Sequence, residues 1–479
     1  MPELETKTTQ PAAAETAEDK RGSFRDTIST VDKKGKRIWI YPKKVTGNFY
    51  RARSWVSIFL LVFLFGAPFV HIHGQPLLLF NFLERKFIIF GLAFWPQDFH
   101  LFVLATIAII VFILLFTAVF GRVWCGWACP QTVFMEMVFR KIEYFIEGDA
   151  RHQRALNAAP WTTEKIFKKG TKHTIFFAIS FLIGNTFMAY IVGSDRLIEI
   201  ISQPPWHHWA GFIAVLFFSL LFYWIFAYFR EQACVLVCPY GRFQSVLLDP
   251  NSIVISYDFV RGEPRGKFSK KRDRSNLGDC IDCRLCVDVC PTGIDIRNGT
   301  QLECINCANC IDACNSVMDK VGFSRGLIRY SSYNGIAEGK KKLLTPRMVG
   351  YSAILVFLVS VLFYMLMGRS DIEATILRAP GVLFQKLPNG HISNLYTVKI
   401  VNKTFSDLPV EFKLKSPKGQ INLVGDKMVV PQDGLAESAL FVEIPRDQLK
   451  SENSKIVIQV FSGDKLLDEV KSSFIGPSK

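Results

Sequence analysis

Apolar residues along this chain fall first into long unbroken runs and later into short alternating ones, and the change of rhythm divides the molecule. Five runs are long enough to cross a bilayer as helices, which takes about 20 residues: roughly Trp55 to Val70, Phe99 to Phe120, Thr174 to Val192, Trp209 to Phe229 and Val349 to Met367. A further apolar stretch, Leu77 to Trp95, carries Glu84, Arg85 and Lys86 at its centre. Burying three charges in hydrocarbon is costly, so this stretch reads as an interfacial or re-entrant segment. After Met367 the period shortens to two. Leu395 to Val401, Val410 to Lys415, Ala439 to Ile444, Ile456 to Phe461 and Lys465 to Val470 alternate between Pro, Gly and Asn-Asp punctuation, the pattern of antiparallel strands. About 110 residues and roughly seven strands predict an immunoglobulin-like sandwich. It holds no cysteine to pin its sheets, and reads as a docking or spacer module.

The polar positions orient the runs. Lysines and arginines crowd the arm before Arg53, the loop from Arg122 to Lys172 and the stretch from Arg230 to Arg347, whereas His71 to Asp98 and Gly193 to His208 hold few. Basic segments stay on the cytoplasmic side, so five crossings starting inside leave the C-terminal portion outside. The expected order is a partly disordered cytoplasmic arm (residues 1–50), a four-helix membrane region (51–250), a cytoplasmic domain (251–345), a fifth membrane helix (346–369) and an outer all-β domain (370–479).

Composition changes this picture little. A chain of 479 residues suggests two to four domains, and 49% hydrophobic content with 42 Phe points to a membrane protein. The net charge of +15 is spread over loops flanking the apolar runs, not set in one aromatic-interleaved patch, which argues against a nucleic-acid partner. Residues 1–35 are rich in Ala, Thr, Glu and Lys and show no signal-peptide pattern; disorder is expected there.

The cysteines carry the chemistry. Eight of the twelve stand in two runs of one spacing, Cys280, Cys283, Cys286 and Cys290 followed by Pro291, then Cys304, Cys307, Cys310 and Cys314. This is the ligand pattern of a two-cluster bacterial-type ferredoxin, in which three thiolates of one run hold a cubane and the fourth reaches to the other. Cys280, Cys283, Cys286 and Cys314 would then hold one 4Fe-4S cluster, and Cys304, Cys307, Cys310 and Cys290 the second. Zinc would use Cys-x2-Cys pairs set further apart. The second run ends Cys314-Asn315, without the proline that follows Cys290. Thiols kept free for clusters suit a reducing compartment, and the inside placement from the basic loops agrees.

The remaining four form two Cys-x3-Cys-Pro units, Cys125 and Cys129 before Pro130, and Cys234 and Cys238 before Pro239. The copies are offset by 109 positions, an offset shared by Phe134 and Phe243, which indicates an internal repeat of two helical hairpins. Repeats related by an axis along the membrane normal would bring the four thiols together at the inner mouth of the bundle. Spacing i, i+4 predicts both thiols of a pair on one helix face. Each proline predicts a new helical segment, Gln131 through Ile146 and Gly241 through Leu248. Soft thiolates favour Cu(I), zinc or iron-sulfur iron, so a copper ion, a further cluster, a redox dithiol or plain packing all fit the pattern. His71, His73, His100, His207 and His208 lie near the predicted outer helix ends, where imidazoles bind metals or serve as ordinary interface residues.

Membrane helices with two such pairs, then a two-cluster ferredoxin run, one more membrane helix and a sandwich-like tail resemble the FixG/RdxA/CcoG family of cytochrome c oxidase accessory proteins. The resemblance is carried by Arg122-Val-Trp-Cys-Gly-Trp-Ala-Cys-Pro-Gln, by the run Cys238 to Gln244 and by the Cys280 run. It implies a multi-pass protein of the bacterial inner membrane, with its tail in the periplasm. It also implies assembly of the cbb(3)-type oxidase through reduction of Cu(II) to Cu(I), and the paired thiols Cys125, Cys129, Cys234 and Cys238 are the expected catalytic residues and copper ligands for that step. The implied partners are the lipid bilayer, copper ions, oxidase assembly factors or a copper-transporting ATPase, and a cytoplasmic electron donor, since no Rossmann-type glycine fingerprint or flavin signature is evident. The membrane parts also look like quinol-oxidising ferredoxin proteins of nitrate and nitrous oxide respiration. A quinol-oxidising respiratory module, with quinol bound near the outer histidines, and a non-enzymatic assembly scaffold are the alternatives.

Overall fold

The computed structural model describes residues 29–477 except 33, 73, 83–85, 269–275, 340–343, 371, 382, 389, 426, 433 and 450. The expected disorder of the arm falls largely on residues 1–28, and His73, Glu84 and Arg85 likewise lie outside the described residues. Among those described, five helices are long and apolar enough to span a membrane: Asn48–Phe69, Phe99–Phe120, Thr163–Val192, Pro205–Phe229 and Pro346–Met367. Their apolar side chains stand exposed, Phe102 and Phe363 both at 63%, as a surface facing lipid tails requires. The Pro346–Met367 helix buries none of its residues. The chain is a multi-pass membrane protein. Several helices start earlier than the apolar runs, because charged early turns find partners: Lys169 and Lys172 of the third helix both reach Glu147 at 2.9 Å.

By contacts the chain forms two units. The first comprises Met1–Ala67, Thr106–Ala189 and Asp195–Leu358. Within it Phe134, Phe139, Phe176, Ile183 and Phe226 pack as one buried cluster, with the Phe139 and Phe226 rings stacked at 4.6 Å. The ferredoxin-type part pairs Val254–Tyr257 with Ile328–Ser331 antiparallel and adds the short helices Leu285–Asp288 and Asn309–Val321. Its core is Ile255, Ile294, Ile296, Ile311, Met318, Leu327 and Ile328 together with cysteines. The Asp312 carboxylate, on the helix between Cys310 and Cys314, accepts from the backbone N–H of Tyr50 at 2.8 Å and of Phe49 at 3.3 Å. That caps the first turn of the Asn48 membrane helix with a negative charge and ties the cysteine runs to it.

The second unit comprises Pro68–Ala105, Tyr190–Ser194 and Val359–Lys479. Its C-terminal part is an all-β, immunoglobulin-like sandwich. One sheet orders Gln420–Leu423, Leu435–Pro445, His391–Asn402 and Ile372–Arg378, with Gln385–Lys386 beside the third; the other orders Met428–Val430, Leu408–Ser416, Asn453–Ser462 and Lys465–Ile475. Alternate residues of these strands, among them Tyr396, Val398, Ile400, Leu440, Val442, Ile458 and Val460, are fully buried, as two facing sheets demand. The Leu77 to Trp95 stretch is a three-stranded antiparallel sheet of Leu78–Asn81, Lys86–Ile89 and Leu92–Phe94, with Lys86 opening its middle strand. Asp98 follows it, buried, and pairs with Arg369 and Lys403, both at 2.8 Å.

Candidate electron-transfer site

Both cysteine runs are shaped by backbone that side chains other than glycine seldom adopt. Asp282 and Arg284 flank Cys283 with φ of 52° and 57°; Asn306 and Ala308 flank Cys307 with φ of 54° and 65°. The two pairs are related by the same 24-residue offset as the runs. Left-handed residues on either side of a cysteine curl the chain around a point and turn successive N–H groups inward, a concavity suited to an anionic group. Such strain persists where surrounding structure enforces it, typically at functional sites.

Each curl faces a cavity. One, of about 370 Å³ of empty space, is lined by Cys280, Cys283, Cys286 and Cys314 among apolar side chains including Ile281, Leu285, Met318 and Leu327. The other, of about 340 Å³, is lined by Cys290, Cys304, Cys307 and Cys310, with Cys286 at its margin and Ile255, Ile294 and Ile296 around it. The structure thus brings Cys314 to the first run and Cys290 to the second. Near-equal cavities with four thiols each in an apolar shell fit two cubanes of one size. Burial pushes the Cys286, Cys304 and Cys314 thiols up to about 12 and Cys307 to about 11; neighbouring thiols contribute to each. Ligation by iron would displace those protons.

One of the four other thiols lies against the second run. Cys125 packs with Ile305 and Cys307, and its thiol donates to Gln244 Oε1 at 3.0 Å. A Cβ on Gly126 would stand 2.3 Å from the Ile305 carbonyl oxygen and 2.9 Å from the Cys307 nitrogen. Only glycine lets the first pair approach the second run this closely. Trp127 Nε1 donates to the Tyr330 hydroxyl at 3.1 Å, which donates to the Asn306 carbonyl at 2.9 Å. Burial raises Cys125 to about 11 and Cys234 to about 12; Cys129 and Cys238 act on both, so all four thiols are electrostatic neighbours. Arg122, buried, opposes the rise at both.

The thiols of a pair do not share a helix face. Cys125 sits in the Val123–Trp127 helix and Cys234 in the π-helical turn Ala233–Val237, but Cys129 and Cys238 are extended, with ψ of 125° and 108°. The following proline forces this, since its ring excludes the helical region for the residue before it. Helix resumes after each proline, over Pro130–Thr132 and Pro239–Leu247, with a π-helical insertion at Val133–Phe139 in the first copy. π-Turns of this kind concentrate at functional sites. Among the described residues no three His, Cys, Asp or Glu side chains gather closely enough to hold a single ion. His71, His100, His207 and His208 are exposed, and His208 bonds Gln203 at 3.0 Å.

Parts of the chain match known protein families. Residues 229–333 match the family described as "4Fe-4S dicluster domain", residues 102–146 that described as "4Fe-4S binding domain", and residues 362–477 the "IG-like fold at C-terminal of FixG". The nitrogen fixation protein FixG of Rhizobium meliloti is 33% identical over 411 residues, covering 77% of each chain. The chain belongs to the FixG family. Proteins RdxB and RdxA of Cereibacter sphaeroides are 36% identical over 386 residues and 33% over 385; the matches cover 77% and 78% of this chain and 80% and 81% of theirs. With its paired thiol cavities, this FixG-family chain is a membrane iron-sulfur protein of electron transfer. Its two iron-sulfur matches span the Cys125 and Cys234 pairs as well as the eight-cysteine run.

Sequence reasoning passed over a buried ionic group between the pairs. Arg140 meets Glu136 at 3.0 Å, Arg37 meets Glu231 at 2.7 Å, Arg230 meets Glu143, and Lys172 meets Glu147 at 2.9 Å. Burial works to raise the Glu143 carboxyl, but Arg230, Lys172 and Arg140 outweigh it and hold it below the usual range. Glu136, Glu143 and Glu147 interrupting the apolar stretch after Pro130 were the available signal.

Proposed function

We propose that the chain reduces Cu(II) to Cu(I) at Cys125, Cys129, Cys234 and Cys238, in the service of cbb(3)-type cytochrome c oxidase assembly. Two 4Fe-4S clusters, held by Cys280, Cys283, Cys286 and Cys314 and by Cys304, Cys307, Cys310 and Cys290, supply one electron per copper. The ferredoxin part lies in the cytoplasm and the sandwich in the periplasm, following the basic loops. The observation that carries this reading is the contact of Cys125 with Ile305 and Cys307, which leaves no intervening layer between the second run and the first of the four thiols. Thiolates are soft ligands that stabilise Cu(I) over Cu(II), and Cu(I) is content with two of them, so no three-ligand cage is required. Catalysis then needs no general base, only ligands that prefer one oxidation state.

The test uses purified protein reduced with dithionite, freed of excess reductant and mixed anaerobically with Cu(II), with Cu(I) read by a chromogenic chelator. A Cys129→Ser, Cys238→Ser variant is expected to lose Cu(I) formation by about tenfold or more while iron content and cluster spectra stay as in the parent. Unchanged copper reduction in that variant removes the reading.

A further inference from the structure

Two buried arginines of the first unit lack the carboxylates that buried cations normally have. Arg53, on the Asn48–Phe69 helix, is 1% exposed, and Arg122, just after the Phe99–Phe120 helix, is 5% exposed. Arg53 Nη1 donates to Asn309 Oδ1 at 3.5 Å, while its Nη2 is buried with no hydrogen-bond partner. Arg122 Nη1 donates to the Leu302 carbonyl, and its Nε is likewise buried and unpartnered. A buried cation is strongly unfavourable unless an opposite charge answers it.

Both guanidinium groups sit beside the second cysteine run. Asn309, which holds Arg53, lines the cavity of Cys290, Cys304, Cys307 and Cys310. Arg122 lines a smaller recess with Cys304, Ile255 and Asn306, and a Cβ on Gly241 would stand 2.7 Å from its Nη2. It is therefore wedged between that run and the second Cys-x3-Cys-Pro unit. Burial raises the Cys307 and Cys304 thiols, and Arg53 opposes the rise at Cys307 as Arg122 does at Cys304. Glu136 acts on Cys307 in the other sense, but it is already paired with Arg140 at 3.0 Å. At the first run the buried cations are answered. Arg297, in its cavity, is neutralised by Asp282 and Asp295 at 2.5 and 2.6 Å, and Arg261, near Cys314, by Asp279. Arg284 in the same cavity is exposed, where water and salt screen it.

We infer that Arg53 and Arg122 are positioning residues that set the direction of electron flow, by making the second iron-sulfur centre a stronger acceptor than the first. The inference rests on the electron-transfer reading and gives each centre its place in it. A 4Fe-4S group held by four thiolates is an anion that gains further negative charge on reduction, and the charge around it tunes its potential. Arg53 and Arg122 favour that more negative form, and burial leaves their field weakly screened. The neutralised arginines of the first run give much less of this pull. Cys283 is the exposed thiol among the eight, so electrons enter at its edge, are drawn singly to the second run, and leave through Cys125, which packs on Cys307. In the inner step one electron is lost by iron at the first cavity and gained by iron at the second; no bond changes and no proton moves.

The test is an anaerobic redox titration of the full-length, cluster-loaded protein in detergent, followed by electron paramagnetic resonance, with the two signals assigned in Cys310→Ser. The second centre is expected to have the higher midpoint. Arg53→Gln and Arg122→Gln should each weaken it as an acceptor by about tenfold, which is about 59 mV for a one-electron couple, with iron content as in the parent. Arg53→Lys keeps the charge and should keep most of the parental midpoint. A second midpoint at or below the first, or one that neither Gln variant lowers, overturns the proposal. An equal fall in Arg53→Lys and Arg53→Gln, or iron loss shared by all three variants, overturns it too, because the arginines would then act by shape and not by charge. Copper reduction by the dithionite-reduced parent is measured alongside. If the midpoints respond as expected while copper stays Cu(II), the charge assignment stands and copper falls as the acceptor.

Discussion

The eight cysteines of the ferredoxin runs and the four of the membrane pairs are equally free of disulfides, yet the backbone treats them differently. Each ferredoxin run wraps a cavity with two left-handed residues and an apolar shell. Each membrane pair is split by a proline into one helical and one extended thiol, held by side chains such as Gln244 and Arg122 and by packing on Cys307. An enclosure built by the main chain suits a resident cofactor. A group of thiols at the seam between two repeats suits a species that arrives, changes oxidation state and leaves. On the proposed reading the same side chain is a permanent ligand in one place and a transient one in the other, by virtue of what surrounds it.

The comparison breaks most visibly at the resident sites. Cys310→Ser should lower iron per chain by about half and abolish one cluster's spectrum, since a hydroxyl is a poor substitute for a soft thiolate. Cys125→Ser should leave the iron content unchanged, and iron loss there as large as in the first variant would make the four thiols a resident cluster site and erase the contrast.

Gly126 sharpens it from the other side. In Gly126→Ala the new methyl meets backbone atoms of Ile305 and Cys307 at 2.3 and 2.9 Å, and backbone cannot swing away as a side chain could. Overpacking of this kind costs about 1–3 kcal/mol, to be read as a lower unfolding midpoint. Copper reduction should fall with the widened contact while both clusters remain loaded; a variant with parental rates would show that the close approach is not the electron path.

Much of this architecture was open to reading, and the failures have physical causes. The five apolar runs locate the membrane helices, but the early turns of the Asn48 and Thr163 helices were invisible because partners on other segments accommodate them, Asp312 for the Phe49 and Tyr50 N–H groups and Glu147 for Lys169 and Lys172. The strands Ile372–Arg378, Gln420–Leu423 and Met428–Val430 went unseen; two are too short to show alternation, and the first lies against the end of a membrane run. Cysteine spacing alone led to the expectation that Cys290 and Cys314 cross between runs, and each lines the cavity of the other run. Nothing in Asp282, Arg284, Asn306 or Ala308 announces a left-handed backbone, because none is glycine. The one-face expectation for the Cys-x3-Cys pairs failed for a reason the sequence did contain, the proline after each.

Burial raises both thiol sets, and iron loading should separate them in their response to pH. Cys286, Cys304 and Cys314 are pushed from an ordinary 9 to about 12 by burial, so between those limits the folded chain binds more protons than the unfolded one. Stability from these groups is complete below about pH 9 and drains away as pH climbs toward 12. The iron-free protein should therefore melt lower at about pH 10.5 than at about pH 8, and iron loading, which removes those protons in advance, should flatten the slope. A slope in the loaded protein as steep as in the iron-free one would detach it from the cluster ligands.

The smallest effect concerns the tie between the ferredoxin runs and the membrane. Asp312 accepts from two N–H groups at the start of the Asn48 helix, as a capping carboxylate does. Asp312→Asn keeps an acceptor and loses the charge, and should cost a few tenths of a kcal/mol; Asp312→Ala loses both and should cost about 1 kcal/mol. Because the residue lies between Cys310 and Cys314, the penalty should appear in the thermal midpoint with the iron content unaltered. If Asp312→Ala instead released iron, the carboxylate would be supporting the second and first cavities directly, and the division between a main-chain enclosure and a side-chain tether would have to be redrawn at that helix.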